Sequence, residues 1–129
     1  MKLPDANIWL SLAFGNHVHH TQVAAWFHNQ ADGTCAFCRI TQLALLRHLT
    51  NAAIMRADVR SQAEAWKIYD ALAADSRVIF LDEAAGIELD FRARTQAGVP
   101  AHYLWTDAYL AAFSLRLPDH YVRPWVSAF

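Results

Sequence analysis

The chain has 129 residues, 55% of them hydrophobic and 18% charged, with a formal net charge of -1. That length fits a single domain, 1–129, able to bury roughly two thirds of its unfolded surface, and the composition excludes disorder. No apolar run approaches the ~20 residues that span a bilayer, Asp5 stands too early for an export signal, and the charge balance excludes a globally basic nucleic-acid clamp.

In chain order, residues 3–5 open as a very short strand. Ile8, Leu10, Leu12, Ala13 and Phe14 suit a helix beginning at Asn7 or Ile8 and stopping at Gly15-Asn16. A second helix is expected from about His19 through Phe27. After the Asp32-Gly33 turn, 34–37 reads as a strand, within a strand-like stretch that runs on to Ile40. Thr41 is expected to cap a helix ending near Thr50-Asn51, and Ser61 another, with Ala65, Trp66, Ile68, Tyr69 and Leu72 on its apolar side. Residues 78–81 form a third strand, apolar throughout as a parallel strand covered on both faces would be. Residues 84–96 read as a helix broken by Gly98-Val99-Pro100, and Thr106 as the cap of one carrying Ala108, Leu110, Ala111 and Phe113. Tyr121 and Val122 favour a strand, which Pro124 limits to an edge or an extended tail.

Short apolar strands alternating with helices predict an α/β domain with a mostly parallel sheet. In such sheets ligands gather beyond the carboxyl ends of the strands. Asp5 follows the first strand, Thr41 and Gln42 the second, Asp82 and Glu83 the third, and Asp107 stands in the first turn of the helix that Thr106 would cap. Each acid alone is explained by a helix cap or by the helix dipole. Gathered at one edge they would repel unless a cation joined them, and magnesium suits oxygen ligands and phosphate.

The sequence carries two other possible ligand sets. Cys35 and Cys38 form a Cys-x-x-Cys pair, but three residues along a strand place them on opposite faces, as two buried core thiols. His17, His19 and His20 are spaced closely enough for zinc or nickel, yet a helix puts only His17 and His20 on one face, so surface or groove-lining histidines are expected.

The opening Leu3-Pro4-Asp5-Ala6-Asn7-Ile8-Trp9-Leu10 resembles the hydrophobic, Asp, x, Asn, hydrophobic signature of PIN-domain ribonucleases, and more narrowly of VapC-type toxins. Arg39-Ile40-Thr41-Gln42-Leu43 and Trp105-Thr106-Asp107-Ala108-Tyr109-Leu110 follow in the order of that family. The resemblance, covering about residues 1–115, implies a three-layer α/β/α fold with a central, mostly parallel sheet. It implies Mg2+, or Mn2+, held by catalytic Asp5 and Asp107, with Asn7, Thr41, Gln42 and Thr106 in support. It also implies an RNA substrate, a cognate antitoxin protein, a homodimer and a cytoplasmic location. Arg39 and Arg47 are the expected RNA contacts, and Asp82 and Asp119 are further acids to consider. The chain departs from the family in carrying the uncharged Gln42 where glutamate is usual, and in its C-terminal stretch. A catalytically degraded PIN domain that serves as an antitoxin-binding module is the competing expectation.

Overall fold

The computed structural model describes residues 1–116 and the backbone of Trp125 and Val126. Strand β1 (Leu3–Pro4) leads directly into α1 (Ala6–Ala13), because Asp5 Oδ1 accepts the backbone N–H groups of Asn7 and Ile8 at 3.1 and 3.2 Å. This cap starts the helix one residue earlier than the apolar spacing suggested. Helix α2 (His20–His28) buries Val23 and Phe27, and β2 (Cys35–Phe37) is buried throughout.

Helix α3 (Arg39–Leu49) corrects one expectation: Thr41 does not precede it. Cys38 occupies the cap, and Thr41 serves that cap from within the first turn. Its Oγ1 accepts the Cys38 N–H at 3.0 Å and donates to the Cys38 carbonyl at 3.1 Å. The strand therefore ends at Phe37 and does not extend to Ile40. The short α4 (Ala52–Met55), capped by Asn51, and the 3-10 turn Arg56–Asp58 were not foreseen, since neither is long enough to show a period. Helix α5 (Gln62–Ala73) starts after Ser61, as expected, and Glu64 completes a capping box with it. Its buried face is narrower than predicted: Ala65 and Tyr69 are buried, whereas Trp66 remains 47% exposed.

Strand β3 (Val78–Phe80) is covered at Val78 but leaves Phe80 exposed, so it is not sandwiched along its whole length. Helix α6 (Ile87–Arg94) is shorter than expected. Gly86 stands at its N-cap with a left-handed φ of 82°, and the preceding Glu83 accepts the Tyr109 hydroxyl proton at 2.7 Å. A 3-10 turn, His102–Leu104, runs into α7 (Trp105–Leu115), whose cap is Leu104, so Thr106 lies inside the first turn. Strand β4 (Trp125–Val126) follows Pro124 and pairs only with β1 among the described residues.

Among the described residues all the strand pairing is parallel. Leu3 and Pro4 face Trp125 and Val126, Cys35 to Phe37 face Val78 to Phe80, and a bridge between Lys2 and Cys35 links the two pairs. The pleat of β2 sorts its side chains into two cores. Cys35 and Phe37 join Trp9, Leu10, Phe27, Leu45, Leu49 and Tyr69 on one side. Ala36 and Cys38 join Leu3, Ile87, Leu110 and Phe113 on the other. Trp9 stacks on Phe37 with ring centroids 4.0 Å apart, in a core where each buried aromatic contributes about 1.5–3 kcal/mol. The two cysteines are free and buried on opposite sides, so they form no common site. No helix among the described residues is long and apolar enough to cross a membrane.

Candidate active site

Beyond the carboxyl end of β1 lies a cleft of about 130 Å³. Asp5 and Asn7 enter it from the start of α1, Thr41 and His48 from α3, and Thr106 and Asp107 from the first turn of α7. Residues from opposite ends of the chain thus share one opening, because α1 packs on α3 and α7 closes the other side. Asp5 is half-buried and Asp107 exposed. Each acid also stands where local helix chemistry favours a negative charge: Asp5 as a cap, Asp107 near the positive end of the α7 dipole. Capping and the shared cleft are compatible, because a cap occupies Oδ1 of Asp5 and fixes the orientation of the whole carboxylate.

Other sequence-predicted residues lie elsewhere. Gln42 is buried, and its amide oxygen accepts from Arg39 Nη1 at 2.6 Å; it does not line the cleft. Arg39 lies 4.8 Å over the Phe80 ring. Arg47 lines an adjoining cleft that shares Ala44 and His48 with the first. Asp82 is exposed in the loop after β3, apart from the cleft, and Glu83 is engaged by Tyr109. Asp119 lies outside the described residues. Among the described residues no group of three or more His, Cys, Asp or Glu is placed so that it could hold a metal ion jointly. His17 instead hydrogen-bonds Ser11 and the His19 backbone, and His20 Nδ1 contacts the Ser11 carbonyl at 2.8 Å.

Sequence reasoning missed His48. The signal was present: Ile40, Ala44 and His48 recur every four residues and place one face of α3 on the cleft. Burial, then the neighbouring Arg47 charge, lowers the His48 imidazole below its ordinary pKa, against an opposing pull from Asp5. Among the described residues the cleft lining contains no Lys or Arg, so there a bound phosphate would meet helix N-termini and imidazole first.

Comparison with known proteins gives a consistent result. The PIN domain family profile matches residues 2–117. The chain is 43% identical over 120 residues to Ribonuclease VapC41 of Mycobacterium tuberculosis, covering 89% of this chain and 82% of that protein. It is 36% identical over 112 residues to Ribonuclease VapC29 of the same organism, covering 84% and 74%. The crystal structure of Mycobacterium tuberculosis VapC20, described as a sarcin-ricin loop cleaving toxin, shares the fold at a TM-score of 0.60 and 13% identity, covering 87% of this chain and 79% of that one. The chain belongs to the PIN-domain family and, within it, to the VapC-type ribonuclease toxins of toxin–antitoxin systems.

Proposed function

We propose that the Asp5–Asp107 cleft is the catalytic centre of a magnesium-dependent endoribonuclease, with manganese able to substitute. The observation that carries this is the convergence of two carboxylates, an amide and two hydroxyls on one cleft at the carboxyl end of a parallel strand. Apart from the His48 imidazole, the side-chain donors are hard oxygens, which suits an ion that keeps several waters and takes one or two carboxylates. Asp5 and Asp107 would hold it. When bound, the ion lowers the pKa of water and offsets charge on the leaving oxygen.

The protein's own groups do the rest. The two amide protons on Asp5 Oδ1 keep that carboxylate from swinging. Asp5 or Asp107 accepts the proton of the water that attacks in line with the scissile phosphorus. Asn7 and Thr106 donate hydrogen bonds to phosphate oxygens at the cleft mouth. Thr41, committed to the Cys38 cap, acts as a support that holds the first turn of α3. In this reading, residues 1–129 form one three-layer α/β/α domain that dimerises, acts in the cytoplasm, and is silenced by a cognate antitoxin protein.

One observation favours a second reading. The amide at Gln42 is bound to Arg39, and no third acid joins the cleft among the described residues. A degraded domain that binds its antitoxin without cleaving RNA would look the same. Magnesium titration of wild type, Asp5→Asn and Asp107→Asn against a mixed RNA pool, with EDTA as control, separates the two. Magnesium-dependent cleavage lost in both variants supports the enzyme. A folded wild type that binds antitoxin but cleaves nothing at any magnesium concentration supports the module.

A further inference from the structure

A second cleft, of about 140 Å³, opens on the other side of the first turn of α7. Trp105 and Leu104 form one wall, Arg94 at the end of α6 another, and the loop carrying Thr95, Val99 and Pro100 the rim. None of these residues contributes to the Asp5–Asp107 cleft. Yet Trp105 stands two residues before Asp107, about 3 Å along the helix axis. The edge of Phe91 holds the indole at 6.0 Å between centroids, while 53% of Trp105 stays exposed. Ala101, also in the lining, adopts a left-handed backbone (φ 39°, ψ 40°) that a non-glycine residue keeps only when its surroundings enforce it.

We propose that this cleft takes an unstacked nucleobase of the RNA, next to the phosphate cut at Asp107, and so sets base preference. The inference rests on the ribonuclease reading of the neighbouring site. Among the described residues the lining combines an exposed aromatic face, apolar aliphatic walls, one guanidinium and no carboxylate. A flat π-surface with polar edges, carried on a polyanion, complements all of these at once. Arg94 supplies a cation beside the ring and a phosphate partner that the described residues of the catalytic cleft do not. A single-stranded segment threading past α7 would present one base to Trp105 while its adjoining phosphate meets Thr106 and Asp107.

The test uses single-stranded RNA containing 2-aminopurine, titrated into the full-length protein in EDTA so that binding is read without cleavage. Stacking on Trp105 should quench the probe. Trp105→Ala should remove the quenching and weaken binding about tenfold or more, the effect of losing one base–aromatic stack. Trp105→Phe should restore binding to within about threefold, since it keeps a π-face. Circular dichroism checks that α7 survives, and Arg94→Ala, a surface change, gives an independent loss of affinity. In magnesium, Trp105→Ala should raise KM and relax base preference beside the cut more than it lowers kcat. Unchanged quenching and affinity in Trp105→Ala would overturn the proposal. So would wild-type protein that binds no RNA in EDTA, or a Trp105→Ala variant that loses only antitoxin binding. Wild-type RNA binding and quenching with no cleavage in magnesium would leave the base pocket standing and sink the catalytic reading instead.

Discussion

Arg39 and Gln42 share a 2.6 Å hydrogen bond in the first turn of α3, and that bond occupies the side chain standing where the family pattern leads one to expect glutamate. Gln42 is 6% exposed, and the Arg39 guanidinium that holds it also rests on Phe80. The substitution therefore changes more than one charge, because position 42 is tied to a cation next to the cleft and not presented within it.

A carboxylate at that position should stay with the arginine. Gln42→Glu is expected to form a charge-assisted pair with Arg39 and to change magnesium affinity by less than about threefold. Adding Arg39→Ala releases the new acid, and affinity should then tighten by about tenfold, or ~1.4 kcal/mol. Isothermal titration of magnesium into the single and double variants measures both, and equal affinities would contradict the tie.

Asp5 combines a helix cap with a cleft carboxylate, and two substitutions separate these roles. Asp5→Asn keeps an oxygen for the Asn7 and Ile8 amides, so stability should change by less than about 0.5 kcal/mol, while RNA cleavage falls about a hundredfold or more. Asp5→Ala removes the cap as well and should cost about 1–2 kcal/mol in urea denaturation. If Asp5→Asn left cleavage intact, its role would be capping alone.

The His17 imidazole is held below its ordinary pKa of 6.5, chiefly by burial and then by the charges of His19 and His20. The unfolded chain therefore takes up this proton at a higher pH than the native fold does. Stability should fall as pH drops through 6.5 and level off once His17 is protonated in the native state as well. His48 is shifted in the same direction and adds to the loss. Denaturation midpoints at pH 7 and pH 5 should differ less in His17→Gln than in wild type.

Gly86 is required by its backbone. Its left-handed φ of 82° starts α6, and a Cβ there would meet the Arg116 guanidinium at 3.2 Å. Gly86→Ala should destabilise the fold by about 1 kcal/mol or more. Arg116 ends a flexible side chain paired with Asp90 at 2.8 Å, so it can move aside. Most of the cost should persist in an Arg116→Ala background, which thermal denaturation of the double variant would show.

The sequence by itself determined the alternation of strands and helices, because buried parallel strands read as short apolar runs and Ser61–Glu64 carries its capping box in four adjacent residues. It also marked Asp5 and Asp107, since the motifs around them are local in the chain. Where Thr41 and Thr106 stand could not be read in the same way. A threonine before an apolar run signals a cap, but here Cys38 and Leu104 take the caps, because the chain turns into α3 three residues earlier and into α7 two residues earlier. Trp66 fits an apolar stripe and is nevertheless half exposed, as helical spacing defines a face without stating how much of it a neighbour covers. Only the tertiary structure decided that Asp5, His48 and Asp107 share a cleft and that Gln42, Asp82 and Arg39 do not enter it. The packing of α1 against α3, and of α7 across the sheet edge, depends on side chains far apart in the chain, and that contact is written in no single segment.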